Sequence, residues 1–286
     1  MKTRILFFIL VITFLFLFVS CASTSNTISF DYTPQDKYEI GTEVAANILG
    51  TYILYYNENL YTYLNSICSA LAIHADNVNP YKGYSIGVLD TKVINAFATP
   101  GGHILISRGM LQSANSEEEH AAIIAHEVSH IQLEHSIKAI KKNTRTQTLG
   151  TIATTAFVII SNRKGEKTDE EINNIIQSGA FLTNFSTELV NSGYSKSSEF
   201  DADEMAIFLM NKTGYNPKGM IGSLETLKNN KSKNYLLGFG KTHPTPKKRL
   251  QKANKIVKNI NKQIKNKNEY NEESRVNRFE NIKQYF

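Results

Sequence analysis

The stretch that most constrains this chain is Ala121 to His135, AAIIAHEVSHIQLEH. It contains His126-Glu127-Val128-Ser129-His130, two histidines four positions apart with a glutamate directly after the first. Residues four apart on an α-helix share a face, so a helix here turns both imidazoles toward one point. Such a pair suits zinc, which takes imidazole nitrogen and lowers the pKa of its bound water to about 7. Glu127 then lies beside the open coordination position, where it can take a proton from that water. The surrounding residues favour the helix. Ala121 to Ala125 are apolar, Val128 and Ile131 continue that side, and neither Pro nor Gly occurs between Gln112 and His135. Ser116 and Glu119 supply a capping-box pair at its start. Three fixed letters alone do not make a metal site, because a solvated helix can match them by chance.

A third ligand has to come from elsewhere in the chain, since catalytic zinc typically takes three protein ligands and keeps one position for water. Glu199-Phe200-Asp201-Ala202-Asp203-Glu204 opens another helical stretch and clusters four acids. Glu199 and Asp203 share a face, while Asp201 points elsewhere. One of the two can bind the metal while the other accepts the remaining ring N–H of a liganding histidine. Composition does not rank them, and acids at a helix start also simply complement its dipole.

The amino terminus gives an address. Lys2 and Arg4 precede an apolar run from Ile5 to Val19, and Ser20-Cys21-Ala22-Ser23-Thr24 then turns small and polar. That order is the layout of a secretory signal peptide over residues 1–20, and the run falls short of the roughly 20 residues a membrane-spanning helix needs. Leu17 to Cys21 resembles the bacterial lipobox, with Phe18 departing from its usual aliphatic residue. The expectation is acylation at Cys21, a tether over 21–38, and a lipid anchor in the bacterial cell envelope facing the periplasm. Export excludes a cytosolic role and argues against nucleic acid as a partner. With Cys21 carrying lipid, Cys68 has no partner and reads as a small core residue. Residues 241–286 hold thirteen Lys/Arg against four Asp/Glu, which reads as the solvated face of a basic helical tail over 254–286.

Between these ends the pattern is mostly helical. Glu39 to Ala75 reads as two helices, with Leu60, Tyr63, Leu64, Ile67 and Leu71 at three- and four-residue spacing. Residues 84–89, 93–98 and 103–107 read as strands, the last two joined as a hairpin. The metal helix is expected to persist to about Thr146, and Leu149 to Ile160 to be a buried apolar segment. Glu166 to Ser178 reads as helix, and 184–197 partly as loop.

Taken together, these motifs resemble the M48 metallopeptidases. H-E-x-x-H is followed about seventy residues later by Glu199-Phe200-Asp201-Ala202-Asp203, and Asn95 to Ile104 resembles the family's stretch ahead of the zinc helix. The resemblance runs from about residue 40 to residue 253. It implies His126, His130 and Glu199 as ligands of one zinc per chain, Glu127 as general base, and Asp203 as the carboxylate behind a ligand. The strand after the motif would take extended substrate by β-addition at Gly102, His103, Ile104, Leu105 and Ile106. His243-Pro244 to Arg249 resembles the family's H-P-x-x-x-x-R element. It implies that His243 stabilises the oxyanion or transiently occupies the metal's free position, and that Arg249 supports the region through a carboxylate. The chain lacks the family's multispanning segments and helical repeats, which points to a small lipoprotein branch. The expected fold is a mainly helical α+β, zincin-like domain over 39–253, with a small sheet beside the metal helix. The expected function is zinc-dependent endopeptidase action on extended envelope polypeptides, with a proteolytically latent zinc-binding module as the alternative.

Overall fold

The computed structural model describes residues 32–75, 80–146, 169–243, 245–263 and 272–286. The leader expected at 1–20, Cys21, and the apolar segment expected at 149–160 lie outside them. The described chain is mainly helical around one three-stranded sheet, the α+β arrangement expected. No helix among the described residues is long and apolar enough to cross a membrane.

Helix α1 (Pro34–Leu49) begins inside the expected tether. The Thr33 hydroxyl accepts from the Asp36 amide, and the Asp36 carboxylate accepts from the Thr33 amide. With Pro34 in the first turn, this is a capping box, so the polar letters that suggested a linker start a helix instead. Helix α2 (Glu58–Ala72) buries Leu60, Leu64, Ile67 and Leu71 at the expected spacing. Cys68 lies on the same face, and burial pushes its thiol up to about 12, as suits a core residue.

The sheet contains β1 (Ser85–Leu89), β2 (Ala96–Ala98) and β3 (His103–Ser107) in the order β1-β3-β2. The β2–β3 hairpin forms as expected, but β3 also runs parallel to β1. Ile104, Leu105 and Ile106 therefore have neighbours on both edges, and a strand paired on both sides has no ladder groups left for another chain. The expected β-addition of substrate along residues 102–106 is corrected on this ground. Gly102 (φ 111°) instead serves a close approach, since a Cβ there would lie 2.3 Å from the Gly83 carbonyl. The His103 ring is held by Thr42 and Ser85, at 3.2 and 2.9 Å.

Alternation along β3 divides the apolar packing. Ile104 and Ile106 face a core built with α2 and the later helices, whereas Leu105 and Phe97 face a second core with α1. Helix α3 (Arg108–Ser113) then leads to α4 (Glu117–Gln132), in which every residue except Glu118 is buried. The Ser116 hydroxyl caps α4 by accepting from the Glu119 amide. The Glu119 carboxylate, expected to complete a box, accepts from the Asn115 amide instead.

Helix α5 (His135–Thr146) follows after a sharp turn, and α6 (Asp169–Ser192) continues through most of the expected loop at 184–197. Phe181, Leu182, Phe185 and Leu189 are buried in the second core. Their three- and four-residue spacing is helical, although the intervening Asn, Ser and Thr read as loop. Helix α7 (Lys196–Thr213) packs more extensively on α4 than any other described element, and α8 (Lys218–Asn229) comes next. Two short helices, α9 (Lys233–Leu237) and α10 (Phe239–Thr242), precede α11 (Pro246–Gln263). Helix α11 crosses the boundary expected at 253 and buries Leu250, Ala253, Val257 and Ile260. Helix α12 (Glu272–Ile282) closes on α4, with Arg275 paired to Glu118 and Arg278 to the buried Glu117. The part of α11 expected in a solvated tail thus has an apolar face in the core, with Lys255 and Lys258 exposed.

Candidate metal centre

Helix α4 presents His126 and His130 from successive turns. Their Nε2 atoms face each other at 3.1 Å, with the rings at 79°. Glu199, in the first turn of α7, meets them: one carboxylate oxygen lies 3.5 Å from His126 Nε2 and the other 3.5 Å from His130 Nε2. The three ligand atoms lie within 4.8 Å of one another, and all three residues are buried. Both Glu199 oxygens are buried and neither accepts a hydrogen bond. Buried polar atoms are rarely left so, and two imidazole nitrogens with a carboxylate converging on one point fit a divalent cation. On this geometry Glu199, and not Asp203, is the acid that faces both imidazoles and could join them in holding a metal. Burial alone would raise the Glu199 carboxyl, but His243, His126 and His130 around it hold it well below the usual range.

Asp203, one turn further along α7, stands behind His126. Its Oδ1 is 3.1 Å from His126 Nδ1. Arg249 of α11 donates to both Asp203 oxygens, Nε to Oδ2 at 2.8 Å and Nη2 to Oδ1 at 2.6 Å. Its Nη1 is 3.4 Å from Glu199 Oε2. A bidentate guanidinium–carboxylate pair is among the stronger polar contacts, and here Arg249 is 1% exposed. Burial would raise the Asp203 carboxyl, but Arg249 keeps it far below the carboxylate range. Burial and Arg249 pull His126 down, and Asp203 and Glu199 more than reverse this, lifting it to about 9.

His130 is held differently. Its Nδ1 lies 2.9 Å from Nδ1 of His135, the first residue of α5. The Tyr194 ring stacks on it, centroids 4.2 Å apart and 21° from parallel. The Tyr194 hydroxyl donates to the Ala98 carbonyl at 2.6 Å and meets Ser136. Burial first, then neighbouring positive charge, keeps His130 near 4 and His135 near 3, so both stay neutral. Sequence reasoning found roles for neither His135 nor Tyr194. Five residues from His130, His135 falls about 140° round a continuous helix, on another face. Tyr194 sits in a short Gly193–Ser195 break that carries no pattern.

Glu127, 2% exposed, lines a small cavity with His126, Phe239 and Arg249. Burial pushes its carboxyl up to about 7, the range in which a group can both take and release a proton at neutral pH. His243, at the end of α10, turns Nε2 to within 3.5 Å of Glu199 Oε2. Its ring stacks on Phe239, centroids 3.7 Å apart, and its Nδ1 is 2.7 Å from the Thr242 hydroxyl. Burial keeps it near 3 and neutral. The structure thus brings together His126, Glu127, His130, Glu199, Asp203, His243 and Arg249, and leaves His103 to Ile106 in the sheet and Gly102 in the turn before it.

Comparison with known proteins agrees with this assembly. The chain is 25% identical over 211 residues to a beta-barrel assembly-enhancing protease of Yersinia pestis, covering 70% of this chain. It is 29% identical over 166 residues (57% of this chain) to the metalloprotease LoiP of Escherichia coli. With the mitochondrial metalloendopeptidase OMA1 of Schizosaccharomyces pombe it shares 27% over 172 residues, 59% of this chain. The matched parts span 39%, 58% and 45% of those proteins' own lengths. The family model described as peptidase family M48 matches residues 58–257. That span takes in the sheet, His126, His130, Glu199 and Arg249, and the chain belongs to peptidase family M48.

Proposed function

We propose that this chain is a zinc-dependent endopeptidase acting on extended polypeptides of the bacterial cell envelope. The observation that carries the reading is the convergence of His126, His130 and the hydrogen-bond-free Glu199 carboxylate, with Glu127 on the adjacent helix position. When bound there, zinc supplies a Lewis acid for the scissile carbonyl and a water acidic enough to attack near neutral pH. Glu127 takes the proton of the attacking water and passes it to the departing amine. Neutral His243, its Nε2 turned toward the same point, donates to the oxygen on which charge develops. Arg249 and Asp203 keep His126 in place throughout.

The substrate edge in this reading is β2 rather than β3. The Ser107 amide donates to Asn95 O and the Thr99 amide to His103 O. In an antiparallel pair this turns the ladder groups of Ala96 and Ala98 away from β3. An extended peptide pairing there takes the Ala98 carbonyl from the Tyr194 hydroxyl. The envelope address and the lipid anchor at Cys21 are supported by the amino-terminal pattern, and the envelope address also by the relatives named for β-barrel assembly.

The test is cleavage of casein and of an unfolded β-barrel protein by the zinc-loaded chain, beside a chelated sample and Glu127→Gln. Cleavage that stops with chelator and in Glu127→Gln, while that variant keeps its zinc, supports the reading. A second reading, a latent zinc-binding module, is favoured by His243 and Tyr194 both closing on the site. Full zinc occupancy with wild type cleaving no faster than Glu127→Gln would decide for it.

A further inference from the structure

His135 lies outside the ligand set and outside the proton path, yet the residue is 5% exposed and its ring sits against that of His130. The turn that brings it there is unusual. Glu134 is the one non-glycine residue with positive φ among the described residues, at 53°, and Lys37 of α1 pairs with its carboxylate. A left-handed residue of this type is strained, and the strained turn separates α4 from α5. A continuous helix would carry His135 away from His130; the break returns it. Ser136, the next residue, bonds the Tyr194 hydroxyl, and Tyr194 covers the His130 face. Ring plane and ring edge of His130 are thereby both held from the α5 side.

The hydrogen-bond logic follows from which nitrogen faces the cluster. His130 Nε2 points at Glu199 and His126, so a cation there needs that nitrogen unprotonated. A neutral His130 then carries its proton on Nδ1, and Nδ1–H needs an acceptor. Among the described residues, the ion-pairing carboxylate of His130 is Glu199, on the Nε2 side. On the Nδ1 side the atom in reach is His135 Nδ1, at 2.9 Å. A metal histidine usually gives this proton to a carboxylate, a backbone carbonyl or water.

The geometry assigns His135 as a positioning residue: its unprotonated Nδ1 accepts from His130 Nδ1–H and fixes the tautomer and ring orientation in which His130 Nε2 binds a divalent cation. The assignment rests on the His126–His130–Glu199 cluster being a zinc site and not on peptide hydrolysis. It makes the spacing H-E-x-x-H-x-x-x-x-H, 126 to 135 in this chain, a functional unit through the Glu134 turn.

The test is zinc affinity of the full chain, by competition with a chromophoric chelator, for wild type, His135→Asn and His135→Leu. Asn places an amide oxygen near the position of Nδ1 and keeps an acceptor; Leu fills the space without one. The expected result is affinity within about threefold of wild type for His135→Asn and a loss of about 10–100-fold for His135→Leu. Equal affinity in wild type and His135→Leu overturns the assignment, as does an equal loss in both variants. Should His135→Leu fail to fold, two-bond proton–nitrogen correlation spectra of zinc-loaded wild type decide the matter. His135 protonated on Nε2 alone supports the assignment, and a proton on its Nδ1 overturns it. Glu127→Gln separates the two readings, since full zinc affinity without hydrolysis in every sample would remove the peptidase and leave the role of His135 standing.

Discussion

His126 and His130 turn the same atom toward the same point, yet opposite chemistry backs them. Behind His126 stand a carboxylate and a guanidinium, Asp203 and Arg249, drawn from α7 and α11 and closed off from solvent. Behind His130 stand an uncharged imidazole and a phenol, His135 and Tyr194, flanking the α4–α5 turn and the break before α7. The difference teaches that the two histidines are tied to different parts of the fold. His126 depends on a buried ion pair that links distant helices, so losing its support costs the whole molecule. His130 depends on one turn and one stacked ring, so losing its support is a local event.

The sharpest way to break the charged side is Asp203→Ala, which leaves the Arg249 guanidinium buried without its bidentate partner. Removing one member of a buried pair costs about 3–5 kcal/mol, and urea unfolding should show a loss of that size. Adding Arg249→Met should recover much of it, because no buried charge is then left unpaired. A loss below about 1 kcal/mol for Asp203→Ala would mean that Glu199 takes over Arg249.

A histidine remote in role gauges what a neutral buried imidazole costs without metal. His120 sits between the Tyr63 hydroxyl and the Leu111 carbonyl, and burial holds it near 4. Its unfolded value is near 6.5. As pH falls from 6.5 toward 4, the unfolded chain binds a proton that the folded chain refuses, so stability drops. Above 6.5 the group contributes nothing. The drop amounts to about 3 kcal/mol when complete. Unfolding free energies at about pH 7 and 4.5, with chelator present, should show a shallower acid loss in His120→Gln than in wild type. Parallel losses would place the acid sensitivity elsewhere.

Gly193→Ala strikes the seam between the two sides. Gly193 has φ 62°, and a Cβ there would lie 2.2 Å from the Thr242 carbonyl, next to His243. Left-handed strain in a non-glycine residue costs roughly 1–3 kcal/mol. The thermal midpoint should fall accordingly, and Tyr194 should loosen from His130. An unchanged midpoint would mean that the 193–195 break adjusts freely.

The smallest effect belongs to Tyr194→Phe, which removes the hydroxyl from the Ala98 carbonyl and keeps the ring on His130. A lost hydrogen bond of this kind is worth about 1 kcal/mol. Zinc affinity should stay within about twofold of wild type. A tenfold fall would show that the hydroxyl, through Ser136, holds His130 rather than the ring.

Reading the letters worked where one or two helical turns carry the information. His126, Glu127 and His130 fall on α4, Ser116 caps it, and the Leu60–Leu71 stripe is buried as its spacing requires. The β2–β3 hairpin was equally legible. Less legible was everything that depends on a third element. Parallel pairing of β1 made β3 an inner strand and left β1 and β2 as the edges of the sheet. Polar residues between Phe181 and Leu189 hid a helix that α1 buries, and the lysines of α11 hid an apolar face.

By itself the sequence determined the pair of imidazoles, the acid beside them and the small set of carboxylates able to join them. Helical periodicity is a local property, and it places those side chains whatever surrounds the helix. Only the tertiary structure decided that Glu199 faces the His126–His130 pair while Asp203 stands behind His126, and that His135 returns to His130. Those outcomes turn on a buried guanidinium arriving from α11 and on one strained residue at 134, and contacts between segments far apart in the chain leave no period to read.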